Sequence, residues 1–531
     1  MLYFIPAWYQ QNEWCENEQS WMVRRMHTEF DDTVKQVQLF HRNRVYPYQL
    51  MILGFTPNFR HFLHRQGVYH ASYWSCFDAI QEIRRKRAMV LSFHNLNWPP
   101  DVEFVYSLFA VIAFRSGKKY AQIDFGEDGN PIRIDLYENG KICRRNIYDD
   151  RGFVSSTILY KDEKPLYQDY LMENGTWKLR CFSNDGHVEV NPGHSNYLLR
   201  YQGGERIMEF ARLSYESLEQ VIYEVLTSYL KMTDRGDIFC VAMHERHTEL
   251  LQEALKDKKI ILSFYADRYS IAEHAESLDL IKKADYVIAD SGVHVKKIQK
   301  ESGISIKNIM AITPYDSRVD LGISQQFDVQ KILVAIDDIE ENLFVALIYI
   351  LGKYLLVNEN ARIHFFTRKA DYNRPGQILE QTRRELKRVG LEEGWAVEET
   401  DINASADNPE PEEVVPVKFF VEQCVDELAV SRCMREQRLL VDVRTVPELY
   451  LQIMAISMGI PQIVRTRTEF VEHGRNGIVL KRAIKLPSAL RYYLNGFKNW
   501  NKAMVCAYEM SKEYTTEKLM EIWRGVIDSV G

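Results

Sequence analysis

Two rhythms of apolar and polar positions alternate along this chain. Over residues 1–118 short apolar runs are separated by helical periodicity. LYFIPAW and YQLMILGF (48–55) predict buried strands. Between them, Asp31-Asp32 caps a helix whose Val34, Val37, Leu39 and Phe40 fall on one face. FVYSLFAVIAF (104–114) is so rich in β-branched and aromatic residues that it is expected to be buried. From about residue 119 to 199 the period shortens to two. Ile132, Ile134 and Leu136 alternate with Arg133 and Asp135, and turn signals such as GEDGN, ENGK, DDRG, ENGTW and NDGH recur roughly every ten residues. This predicts an antiparallel meander inserted into an α/β unit.

The α/β rhythm then returns. Residues 205–235 predict a helix, and DIFCVAM, KIILSFY, DYVIAD and IMAIT are strands linked by helical segments, IAEHAESLDLIKKA among them. One of those helices is capped by Ser291 and ended by Gly303. Strands joined by helices imply a parallel sheet covered on both faces. A second α/β unit begins near residue 329 with KILVAID, ENLFVALIYILGKYLL and ARIHFFT. Its centre is Arg438–Lys481, which predicts strand, helix, Gly-Ile-Pro break, strand, Asn-Gly turn and strand. The expected architecture is 1–118 with 200–328 as one Rossmann-like domain, 119–199 as the insert, 329–505 as a second Rossmann-like domain, and 506–531 as a helix crossing back. The acidic, Pro-rich segment 398–417 predicts an exposed loop.

Composition changes this picture little. At 531 residues, 46% hydrophobic and 27% charged, the chain suits a two-domain globular protein. A net charge of −7 without a Lys/Arg-rich run argues against nucleic acid as a partner. The eight cysteines are scattered with no C-x-x-C pair, as expected of free thiols in a reducing compartment. No apolar run of about 18 residues is present to span a membrane, and the N-terminus lacks a signal-peptide pattern. A cytoplasmic location is expected.

Motifs exclude more than they include. There is no G-x-x-x-x-G-K-[ST] and no G-x-G-x-x-G after a strand. His244 and His247 are three apart, the wrong spacing for a zincin pair, so no metal and no cofactor are expected. Trp8, Trp14 and Trp21, and the meander aromatics Tyr160, Tyr167, Tyr170 and Trp177, are candidates for stacking on a ligand. Such residues more often fill cores and half-buried strands.

With both α/β units in place, residues 237–510 resemble the retaining GT-B glycosyltransferases, which face two Rossmann-like domains across a cleft. Gly459-Ile460-Pro461 matches their Gly-x-Pro, and Glu472 with Asn476-Gly477 matches their later Glu and Asn-Gly turn. Their two catalytic-motif glutamates lie five and thirteen residues before that glycine, positions held here by Met454 and Val446. Glu448 is two residues away from the latter, an offset that turns a helical side chain by roughly 200°. The family's diphosphate-gripping Arg and Lys correspond to Ile336 and Glu341. Each lost charge-assisted contact forfeits roughly 1.5–3 kcal/mol, so two weaken a nucleotide-sugar by about 10²–10⁴-fold. No catalytic residue is therefore assigned, and Ile336, Glu341, Val446, Glu448, Met454 and Glu472 are expected to be vestigial donor-cleft positions. Thr445 is expected to cap their helix and Gly459 to end it.

Over its full length, through MLYFIPAWY, DDTVKQVQLF and YDDRGFVSSTILY, the chain resembles the accessory secretory protein family of the streptococcal and staphylococcal accessory Sec system. The resemblance implies a non-catalytic export component acting with two companion accessory secretory proteins. It further implies delivery of a glycosylated serine-rich-repeat adhesin to a motor ATPase and membrane channel, through protein and glycan contacts. Peripheral recruitment to the inner face of the membrane would then run through the translocase. The alternative is an active retaining GT-B enzyme acting on the adhesin, with Glu448 or Glu472 in a lost role.

Overall fold

The computed structural model describes residues 1–9, 13–15, 30–397 and 416–531. Trp21 and nearly all of the acidic 398–417 segment lie outside these. The fold is mixed α/β, with two parallel sheets and a large antiparallel one.

The first parallel sheet has seven strands, and Leu2–Ile5 lies near its centre. Its two neighbours are Ile238–Ala242 and Tyr48–Ile52, both parallel to it. The order then runs outward through Lys259–Phe264, Tyr286–Ala289 and Ile309–Ala311 on one side and Tyr73–Ser75 on the other. Strand order therefore reverses beside the N-terminal strand, the doubly wound pattern that places a crevice at the strands' carboxyl ends. Leu2, Phe4 and Leu50 bury one face of this sheet, and Tyr3, Ile5 and Met51 the other, as expected where helices cover both sides.

The second parallel sheet has six strands, in the order Phe419–Gln423, Ala361–Thr367, Gln330–Ala335, Leu439–Asp442, Gln462–Val464, Gly477–Val479. This is the GT-B arrangement of two Rossmann-like sheets. The chain's final helix, Thr516–Val530, returns to the first unit, where Trp523, Met520 and Val526 pack with Phe4 and Phe40. Asp31 caps the helix Asp32–Asn43 as expected, its carboxylate accepting from Val34 N at 3.1 Å. Ser291 and Gly303 likewise bound the helix Gly292–Ser302.

The inserted sheet is larger than the meander pattern suggests. Ten antiparallel strands run from Val102–Tyr106 at one edge to Ser214–Tyr215 at the other. Three expectations are corrected here. The segment 104–114 is buried only in its second half: Ala110, Val111 and Ala113 are core, whereas Val105, Tyr106, Leu108 and Phe109 are all more than half exposed on the outermost hairpin of the sheet. Residues 205–235 are not one helix: Gly204–Glu209 is a strand paired with Asn196–Tyr201, and the helix is Leu218–Leu230. Gly203, at φ +112°, makes the hairpin turn between those strands. The third is the helix expected over 271–284, which is confined to Ser277–Lys283.

Candidate functional site

The carboxyl ends of the two parallel sheets meet where a donor cleft would lie, and side chains from both sides fill the junction. Tyr265, just past the strand Lys259–Phe264, shares a short hydroxyl–hydroxyl bond with Tyr315. The Tyr315 ring packs at 4.9 Å from that of Tyr450 in the helix Leu449–Met458. Phe30 meets the same Tyr450 ring at 5.2 Å. Over Phe30, at 4.4 Å, lies the guanidinium of Arg368, which follows the strand Ala361–Thr367. Further contacts tie the halves together. Ser317 Oγ and Ser457 Oγ lie 2.8 Å apart, and Lys35 pairs with Glu427.

The six positions singled out from sequence do not form a charged pocket. Ile336 is 2% exposed in the core of the second sheet. Glu341 is exposed in the first turn of the helix Glu341–Leu355, directly after Glu340. Carboxylates suit a helix N-terminus, but two of them there repel a diphosphate. Met454 packs against the apolar cluster of Tyr315, Tyr450 and Ile453. Glu472 forms a surface pair with Arg475 at 2.5 Å. Of the six, only Glu448 brings a charge to the junction, where its carboxylate lies 3.1 Å from Arg368 Nη2.

Thr445 and Val446 are not helical, which corrects the expected cap and the expectation that Val446 lies on that helix. The helix begins at Leu449 with Glu448 as its N-cap residue, and Val446 is 57% exposed in the preceding loop. Two features hold that loop open. Pro447 disfavours helical backbone at Val446. Asp442 accepts from Glu448 N at 2.8 Å and is itself clamped by Arg444 at 2.8–2.9 Å. Gly459 does end the helix, in the left-handed conformation at φ +70°.

Arg368 and Glu469 are the chemically telling residues that sequence reasoning missed. Burial and the carboxylate of Glu448 dominate the environment of Arg368, with a net rise in its pKa. Its only signal was position, one residue past a strand's carboxyl end, where α/β sheets place ligand groups. Glu469 accepts from Gly292 N, through both oxygens at 3.1 and 3.2 Å. A carboxylate of the second unit thus occupies the N-terminus of a helix from the first, a place otherwise suited to a phosphate. Burial, together with nearby Asp290, raises the pKa of Glu469.

The other sequence candidates have structural partners. His244 caps the helix Glu245–Ala254, and His247 is buried with Nδ1 2.6 Å from Ala242 O and Nε2 2.9 Å from Tyr9 Oη. The carbonyl can only accept, so Nδ1 carries the proton; burial holds the ring's pKa down to about 3 and keeps it neutral, with Nε2 accepting from Tyr9 Oη. Trp8 donates to Asp31 and Trp14 is core. In the insert, Tyr170 is buried against Phe55 and Phe77. Arg180 lies 3.9 Å from the centre of Tyr167 and 5.0 Å from that of Trp177, held by Asp169 at 2.8 and 2.9 Å. An arginine, not a ligand, occupies those two ring faces. Among the described residues, no helix is long and apolar enough to cross a membrane.

Known proteins share this fold over its full length. The family model for accessory Sec system protein one matches residues 1–529. The protein of that description from Streptococcus gordonii is 32% identical over 534 residues, covering 98% of each chain. A chain in the crystal structure of accessory secretory proteins 1, 2 and 3 from Streptococcus pneumoniae is 28% identical with a TM-score of 0.78, covering 100% of this chain and 99% of that one. The pneumococcal O-GlcNAc transferase GtfA, solved with UDP and GlcNAc, has a TM-score of 0.69 at 12% identity, covering 100% and 98%. That last likeness is one of fold alone.

Proposed function

The chain belongs to the family of accessory Sec system protein one, and from that premise we propose that it is a non-catalytic scaffold of accessory Sec export. In this reading it binds two companion accessory secretory proteins. The assembly then presents a glycosylated serine-rich-repeat adhesin to the motor ATPase and membrane channel. It works on the cytoplasmic side and is recruited to the inner membrane face through the translocase. The companions follow from the pneumococcal relative, which crystallised with proteins 2 and 3.

One observation carries the non-catalytic part: Arg368, a cation at the junction, is paired with Glu448 within the chain. Both glutamates available to an altered enzyme have a partner within the chain, Glu472 in an exposed pair with Arg475. A retaining transferase needs cations for the leaving diphosphate and a poised carboxylate near the sugar. Here the motif positions are an exposed valine and a packed methionine.

The test has two arms. The purified chain should co-purify with both companions and the motor ATPase, and should give no heat with millimolar UDP-sugars. Sugar transfer to the adhesin that is lost in Glu448→Gln would overturn the reading. So would a failure to retain the companions.

A further inference from the structure

Independently of the export reading, the second parallel sheet carries a cluster that the scattered cysteine pattern hides. Glu422 lies on the edge strand Phe419–Gln423, Cys424 directly follows that strand, and Cys433 lies on the helix Glu427–Arg435. Their carboxylate oxygen and two sulfur atoms all lie within 4.8 Å of one another. Cys424 is fixed by its backbone, whose N–H donates to Thr367 O at 2.9 Å.

The geometry points to a divalent-metal site of the zinc class, with Cys424 Sγ, Cys433 Sγ and one Glu422 oxygen as ligands and an open fourth position. Zn–S bonds of about 2.3 Å and Zn–O bonds of about 2.0 Å in a tetrahedron put ligand atoms roughly 3.5–3.8 Å apart, so small side-chain adjustments close the set. Thiolates select a soft or borderline cation over magnesium or calcium.

The surroundings are those of a ligand set. His364 Nδ1 lies 2.7 Å from Glu422 Oε1, and its ring is stacked at 4.9 Å on Phe420. An imidazole hydrogen-bonded to a ligating carboxylate fixes that carboxylate's orientation. Gln437 Nε2 approaches Cys433 Sγ at 3.8 Å, a donor that suits a thiolate. Two thiolates and a carboxylate leave the bound site with one negative charge. Lys331 is within electrostatic reach of both Glu422 and Cys433 to offset it. Cys424 is buried while Cys433 and Glu422 are only partly covered, leaving an approach from solvent for the ion and a water ligand. On binding, each thiol releases its proton to solvent as the sulfur–metal bond forms.

The consequence is mechanical. The metal would join the edge strand to the helix whose Glu427 grips Lys35 of the first unit. The spacing of eight residues between the cysteines matches no short metal motif, because the ligands come from a strand end and a helix face.

Cobalt(II) and zinc(II) additions to the reduced full-length chain test this. One equivalent of cobalt should bind and give an intense sulfur-to-cobalt absorption that zinc abolishes. Cys433→Ser and Cys424→Ser should each remove the absorption, and His364→Ala should weaken zinc binding about 10–100-fold. Cys506→Ser serves as the unaffected control. Zinc should also shield two thiols of the wild-type chain from alkylation, a reading that requires no variant to fold. Absence of the absorption at one equivalent, or its persistence in Cys433→Ser, overturns the site.

Discussion

The carboxylate of Glu448 lies 3.1 Å from the guanidinium of Arg368, and both side chains are less than one-fifth exposed. The pair bridges the N-cap of the helix Leu449–Met458 and the end of the strand Ala361–Thr367, two strands away in the sheet from the one that leads into that helix. In a donor site those two groups would face a ligand; here they face each other. Removing one partner of such a shielded pair leaves the other charge poorly compensated.

Glu448→Ala should therefore destabilise the protein by about 1.5–3 kcal/mol, because a charge-assisted bond is lost from a desolvated place. Arg368→Ala in the same background should add much less than its effect alone. Urea unfolding of both single variants and the double variant measures the coupling; strictly additive losses would refute it.

Glu469 should give a distinct pH signature. Its pKa is raised by burial, so between its ordinary value of 4.5 and its folded value the native state holds more protons than the unfolded one. Stability contributed by this group is therefore greater at low pH and falls as pH rises through that window. Glu469→Gln should flatten this fall while keeping a hydrogen-bond acceptor for Gly292. Glu469→Ala should cost about 1 kcal/mol for the lost cap. Unfolding free energies from pH 4 to 7 distinguish the two.

His244 and His247 act in the opposite direction. Burial holds His247 down to about 3 and His244 down to about 4, against an ordinary 6.5. Below pH 6.5 the unfolded chain takes up protons that the native one refuses, so stability is lost progressively as pH falls toward those values. His247→Gln should make the acid limb of the stability profile shallower. An unchanged limb in that variant would show that other groups set it.

Gly459→Ala should destabilise by about 1–2 kcal/mol through two causes. The residue sits at φ +70°, and a Cβ there would come within 2.7 Å of Met504 Cγ. Gly474, at φ +81° but with nothing within 4 Å, separates the causes: its alanine variant should lose only the backbone contribution. Thermal melts of both variants make the comparison.

Much of the fold was legible because burial imposes short-range periods. Both Rossmann-like sheets follow from apolar strands bounded by helical repeats, and the strand Leu2–Ile5 is apolar on both faces because helices cover both. The insert announced itself by its turn residues. Where the reading failed, hairpin pairing and position at the edge of a sheet overrode composition. Val105 and Leu108 carry a core composition yet lie on an outer hairpin. Residues 205–209 have helical formers but pair as a strand with Asn196–Tyr201.

The site divides along the same line. The sequence by itself determined which charges were missing, since Ile336, Val446 and Met454 cannot ionise in any fold. It also determined the end of the donor helix, because Gly459 supplies a left-handed backbone locally. Only the tertiary structure decided what became of the charges that remain. Glu448 and Arg368 are 80 residues apart, and Gly292 and Glu469 are 177 apart, so no local pattern pairs them. Cys424 and Cys433 are only nine residues apart, yet their sulfurs come within 4.8 Å because a strand end and a helix face are packed together. Electrostatic and ligand geometry depends on distances through space, and those are fixed by packing between elements, which no window of sequence contains.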